Sequence, residues 1–162
     1  MQKTMLENHE RVKTPSDSIS EQIQLVFSAH INGSGRLFGG KLLEWMDVLA
    51  AVVAKRHSEH NVTTVSINKV DFEAPALLND TVLLIGKIIH AGKTSMSVKV
   101  TVYVEKLNGK RKLINTATFV LVALGDDDKP VPVPRLQPIT DEEKADFAAC
   151  EEKRQARMCQ SN

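Results

Sequence analysis

The stretch FGGKLLEWMDVLAAVVA, Phe38 to Ala54, limits the possible folds more than any other in the chain. After a glycine pair the apolar residues predict a helix from about Gly40 to Ser58. Through Ala54 that helix is apolar on most of its surface, so it should be buried nearly all round. It closes on Lys55, Arg56 and His57, cations suited to a helix C-terminus. Everything before and after it must supply the walls of its burial.

The neighbouring patterns predict strands. IQLVFSAHI alternates, placing Ile23, Leu25, Phe27, Ala29 and Ile31 on one side. After the helix, NVTTVSINKVDF is rich in β-branched residues, and DTVLLIGKIIHAG follows a turn at Asn79-Asp80. In KTSMSVKVTVYVEKL, Met96, Val98, Val100, Val102 and Val104 should face inward. KLINTATFVLVAL is apolar on both faces in its second half and should lie centrally. The LNGKR before it is a hairpin connection. The order is strand, helix, then four strands, which predicts an α+β fold with an antiparallel sheet wrapped around one helix. The exposed part of that helix and the sheet edge would need covering, which predicts a homodimer.

The rest of the chain divides around that unit. Residues 1–20 are polar and are expected as a flexible tail, residues 21–126 as the folded domain, and residues 127–139 as a proline-rich linker. Residues 140–162 are expected as a C-terminal helix. It opens with Thr140 and Glu143 in capping-box spacing and ends among Lys153, Arg154 and Arg157. Its apolar stripe is weak, as expected of a surface helix or one packed on a partner.

Composition removes several function classes. A net charge of +1 gives no footprint for nucleic acid and no polybasic membrane patch. One Trp, one Tyr and five Phe do not make a base-stacking platform. The first twenty residues lack the apolar core of a signal peptide, and the longest apolar run, Val48 to Ala54, is too short to span a membrane. Cys150 and Cys159 point to opposite sides of one helix and have no metal-ligand spacing, so two free thiols in a reducing cytoplasm are expected.

Asp47 is the anomaly in the apolar helix, because a buried carboxylate is costly unless it is paired, hydrogen-bonded or used. On a helical wheel it shares its face with Gly40, Leu43, Ala50, Ala51 and Ala54. Side chains lean toward a helix N-terminus, so Asp47 points back toward Gly39 and Gly40. That end carries backbone N–H groups without intrahelical partners and the positive pole of the helix dipole. A carboxylate beside such donors can hold a carbonyl carbon between them. The donors would stabilise an oxyanion while the carboxylate activates water or attacks directly. The same position also suits a structural role, capping a loop or pairing with a buried Arg or Lys. Glu44, one turn earlier, reads as a solvated residue.

NGSGRLFGGKLLEWMD, with VTTVSINKVDFEAPALLNDTV and AGKTSMSVKVTVYVE, resembles the hotdog-fold acyl-CoA thioesterases, from about Gln22 to Leu124. Asn32, the glycine pair and Asp47 fall into the arrangement N-x-x-G-x-x-[FH]-G-G followed by Asp seven residues on. The resemblance implies hydrolysis of acyl-CoA to free acid and CoA, with no metal or other cofactor, CoA being part of the substrate. It implies Asp47 as general base or nucleophile, Asn32 as its catalytic companion, and backbone N–H of Gly40 as the oxyanion donor, with Gly39 keeping the approach clear. It also implies that two copies of a single-domain chain build each site, in dimers that commonly join into hexamers.

Weaker candidates remain. Gly92, Lys93, Thr94 and Ser95 connect two strands where the family has a turn near the CoA entrance, although these are ordinary turn residues. Arg56 and His57 could meet a CoA phosphate, but helix-end cations need no ligand to explain them. His30, His60 and His90 show no metal-site spacing, and no Gly-x-Ser-x-Gly elbow is present. Two other functions use the same pocket. A hydratase or dehydratase would want a His beside the carboxylate, and a non-catalytic acyl-CoA-binding module would not need Asp47 at all.

Overall fold

The computed structural model describes residues 8–160. Among the described residues seven strands are present: β1 (Val12–Lys13), β2 (Ser20–Leu25), β3 (Asn61–Phe72), β4 (Thr81–Ala91), β5 (Ser95–Glu105), β6 (Arg111–Leu124) and β7 (Arg135–Leu136). The two long helices are α1 (Gly39–Ser58) and α2 (Asp141–Gln160). The five longer strands form one antiparallel sheet in the order β2-β4-β5-β6-β3, so β6 is internal as its two apolar faces predict. The sheet wraps α1, which is the hotdog arrangement.

The alternation of β5 works as expected. Met96, Val98, Val100 and Val102 are fully buried against α1, while the residues between them are half-exposed on the other face. From the helix, Met46, Leu49, Ala50 and Val53 meet them. Burial of each large side chain of this kind contributes about 1.5–3 kcal/mol. Gly86 on β4 sets how closely α1 approaches the sheet. A Cβ there would lie 2.9 Å from Val53 and 3.1 Å from Leu49.

α1 is less completely buried than its sequence predicts. Glu44 and Val48 are exposed on one strip, and Val48 retains 54% of its surface. The first strand is also shorter than expected. It stops at Leu25, and Ser28–His30 turn as a 3₁₀ helix. Ile23, Leu25 and Phe27 project outward and stay exposed, while Ser20 on the opposite side of β2 is buried.

Two segments differ from the expected tail and linker. From Asn8 onward the N-terminal region is packed: β1 pairs in parallel with β7, Val12 opposite Arg135, and Asn8 is buried. Residues 1–7 and 161–162 of the expected tail and helix lie outside the described residues. The 127–139 stretch is not loose either, because Val131, Val133 and Leu136 join the core. Its prolines exclude it from the main sheet but suit a strap over the end of α1. Lys13 donates to the carbonyls of Arg56 and His57, both at 2.9 Å, which satisfies acceptors that the end of α1 leaves open.

α2 has the capping box its sequence predicts: Glu143 N–H donates to Thr140 Oγ1 at 3.2 Å, and Thr140 N–H donates to Glu143 at 3.1 Å. It lies on the outer face of the sheet. Phe147 stacks on His90, and Lys87–Glu143 and Lys99–Asp146 ion pairs flank the contact.

Candidate active site

α1 begins at Gly39, one residue before the sequence places it. Phe38 N–H donates to His30 O and Phe38 O accepts the N–H of Leu42, so the chain turns into the helix directly at the glycine pair. No side chain caps this end. The first N–H groups of the helix therefore face outward as donors at its positive pole. Two rings flank them. A Cβ at Gly40 would come within 2.8 Å of the Phe38 ring, and one at Gly39 within 3.6 Å of the Phe72 ring. Glycine keeps the backbone reachable between two exposed aromatics.

Asp47 lies two turns further along α1 and is half-buried. Its partner is not an Arg or Lys. Thr64 Oγ1, from the edge strand β3, donates to Asp47 Oδ1 at 2.7 Å. A hydroxyl donor to a carboxylate holds its orientation without neutralising it. This is a candidate site residue that the sequence reading does not single out. Thr64 sits in a run of β-branched residues that strand propensity already explains, and nothing local marks it. Thr64 faces the helix by regular pairing with the buried Leu121, and the β-bulge that follows places Ser66 opposite Val120, on the outer face. The face of Asp47 is also less open than the helical wheel suggests. Ala50 and Ala54 are fully buried against the sheet, so only the Gly40 side of that face can be approached.

Asn32 is exposed in the loop before α1. Its Oδ1 accepts the N–H groups of Ser34 at 2.9 Å and Arg36 at 3.2 Å, which shapes the glycine loop. It lines a cleft of about 330 Å³ with Gly39, Phe72 and Ile114. Asp47 does not line that cleft, so within one subunit the structure joins Asn32 to the helix start but not to the carboxylate.

The remaining candidates separate. Glu44 makes an exposed pair with Lys41 at 2.8 Å, as a solvated residue should. His57 cannot receive a phosphate as expected. It is fully buried, its Nε2 donates to Pro134 O at 2.8 Å, and burial lowers its pKa below the ordinary 6.5. Arg56 donates to Ser20 Oγ at 2.9 Å and ties the end of α1 to β2. In the Gly92–Ser95 turn, the carbonyls of Lys93 and Thr94 accept the N–H groups of Val133 and Ala123. Ser95 opens onto the outer face of the sheet, away from α1.

Comparison with known proteins agrees with this architecture. The thioesterase superfamily model matches residues 34–109, a span that holds the glycine pair, Asp47 and Thr64. The uncharacterized acyl-CoA thioester hydrolase YkhA of Bacillus subtilis is 41% identical over 119 residues, covering 73% of this chain and 69% of that one. An apo-hexameric acyl-CoA thioesterase superposes with a TM-score of 0.88 at 34% identity, covering 93% of this chain and 97% of the other. The acyl-CoA hydrolase of Staphylococcus aureus, solved with butyryl-CoA and CoA, gives a TM-score of 0.85 at 32% identity and covers 93% and 94%. Variants of that enzyme with an asparagine, an aspartate or a threonine replaced by alanine have also been solved. Their positions along its chain have the same spacing as Asn32, Asp47 and Thr64. On sequence and fold together, the chain belongs to the acyl-CoA thioester hydrolases of the thioesterase superfamily.

Proposed function

We propose that this protein hydrolyses acyl-CoA to a free carboxylic acid and CoA, with Asp47 as the reacting carboxylate. The observation that carries the reading is Asp47 held by Thr64 on the helix whose uncapped first turn is Gly39-Gly40. Thr64 engages Oδ1, leaving Oδ2 for the reacting water. The thioester oxygen lies against the N–H of Gly40, and its charge is stabilised there as the carbonyl carbon becomes tetrahedral. Asp47 takes the proton of the attacking water; collapse then breaks the C–S bond, and the thiolate leaves with that proton. Direct attack by Asp47 would give an anhydride that water then opens, with the same products. Neither route calls for a metal or a redox group. The group that meets Asp47 is a threonine and not a histidine, which disfavours a hydratase.

The site is shared between two copies. β3 ends the sheet, and its Val65 and Ile67 keep 57% and 42% of their surface. Phe72 and the Val48 strip on α1 are exposed as well. Pairing β3 with its counterpart about a two-fold axis covers these residues. It also brings Asn32 of one copy toward Asp47 of the other, a meeting one subunit does not provide. Association of three such dimers extends the same reading, supported by the hexameric relative. We also read the protein as cytoplasmic, in keeping with two free cysteines.

A thiol-release assay over a panel of acyl-CoAs, run beside a binding measurement, tests the proposal. Release of CoA that Asp47→Asn abolishes supports it. Tight binding of acyl-CoA without turnover by the native protein would replace it with a binding module.

A further inference from the structure

A cleft lined by cations lies on the other side of the sheet from Asp47. It is a crevice of about 790 Å³ between α2 and the outer face of β5, β6 and β3. Its floor is made of the half-exposed residues that alternate with the core, among them Ser95, Ser97, Thr116 and Thr118. Lys69, Lys99, Lys153, Arg154 and Arg157 line it. Those from α2 stand at positions 153, 154 and 157, a spacing that puts them along one side of the helix. Lys99 comes from β5 and Lys69 from β3, so positive charge converges from three elements. Two carboxylates share the crevice, Asp71 and Asp146, and Asp146 is engaged with Lys99 at 3.4 Å. The balance remains positive at the Lys153–Arg154 end. There a Cβ on Gly92 would come within 3.0 Å of Arg154 Nη1 and 3.1 Å of Ser95 Oγ. The guanidinium therefore rests against the Gly92–Ser95 turn beside a hydroxyl.

We propose that this crevice binds the phosphates of a nucleotide-sized phosphorylated anion. Guanidinium and ammonium groups with hydroxyl donors form the set that recognises phosphate oxygens. The volume falls within the range of small-molecule sites and exceeds what an inorganic anion fills. The ligand is either the nucleotide end of a CoA thioester or a separate phosphorylated molecule. The chemistry is the same for both, and only the first source rests on the hydrolase reading above.

The test uses Lys153→Glu with Arg154→Glu, two exposed positions whose change should leave folding intact. ADP serves as the binding probe in calorimetry at low ionic strength, where surface charge is least screened. Turnover is compared between an acyl-CoA and the same acyl group on pantetheine, which lacks the nucleotide. A fall of about tenfold or more in ADP affinity with unchanged KM for acyl-CoA supports a separate ligand. A rise of about tenfold in KM for acyl-CoA, with acyl-pantetheine unchanged, supports the substrate's own nucleotide end. Ser97→Phe fills the crevice without altering charge and should cause the same loss. If both variants match the native protein in ADP affinity and in both KM values, the proposal is overturned. If the native protein turns over no thioester, the hydrolase reading fails while ADP binding still decides the crevice.

Discussion

Thr64 and Asp47 meet across the gap between the sheet edge and the central helix, hydroxyl to carboxylate, at 2.7 Å. The bond joins a strand expected to pair with a second copy to the residue expected to react, so dimer formation and carboxylate placement are mechanically connected. Asp47→Asn keeps the size of the side chain and removes the base. Turnover should fall by at least ~100-fold with acyl-CoA binding largely kept. Thr64→Val removes only the orienting donor, so a smaller loss in kcat, about tenfold, is expected. Thiol release at saturating substrate measures both, and equal activity of Thr64→Val and native protein would remove Thr64 from the site.

Glu44 gives the contrasting result. It is exposed and pairs with Lys41, an interaction worth about 0.3–0.5 kcal/mol in helices. Glu44→Gln should change turnover by no more than about twofold to threefold, since half a kcal/mol corresponds to that range. Inactivity equal to that of Asp47→Asn would show that the wrong carboxylate has been assigned.

Complementation tests the shared site. Asn32→Ala and Asp47→Ala homodimers should each be nearly inactive. In a mixed dimer both lesions fall in one site, and the other site is intact. Random pairing of equal amounts makes about half the dimers mixed, so roughly a quarter of native activity should return on co-expression. Mixed dimers as inactive as their parents would place both residues within one subunit.

His57 predicts a pH dependence of stability. Its folded pKa is lowered, chiefly by burial, from an ordinary value of 6.5. As pH drops below that value the unfolded chain takes up a proton that the folded chain refuses, so stability falls. The melting temperature should decline between pH 7 and 5, and His57→Gln should flatten that decline. Glu59 enters lower. Arg11 and then Lys13 hold its carboxyl at about 2 instead of 4.5, so the stability it contributes above pH 4.5 is lost as pH falls toward 2. An unaltered slope between pH 7 and 5 in His57→Gln would assign it to other groups.

The fold was legible because its two signals have different periods. The apolar surface of Leu42 to Ala54 could only be a wrapped helix, and the alternation of Met96 to Val104 only a half-buried strand. Asn32, Gly39, Gly40 and Asp47 were legible as a spaced pattern. Thr64 was not, because its role depends on the α1 side chain that the fold places opposite it, and nothing in a β-branched run marks that partner. His57 was misread for a related reason. Helix-end cations are ordinarily exposed, and only the Val131–Leu136 strap covers this one. The tail and linker were judged by polarity and proline content, yet each supplies the other's pairing partner.

That pairing imposes an order on synthesis. Val12 and Lys13 are made long before their strand partners, Arg135 and Leu136. Until those residues emerge, Lys13 reaches the end of α1 without β7 to hold its strand. A chain elongating at about 5–20 residues per second needs several seconds to cover that distance. The N-terminal strand can therefore lock only after all five strands of the main sheet have been made, although it precedes them in the chain. A truncation ahead of Arg135 would remove β7 and leave β1 without its strand partner.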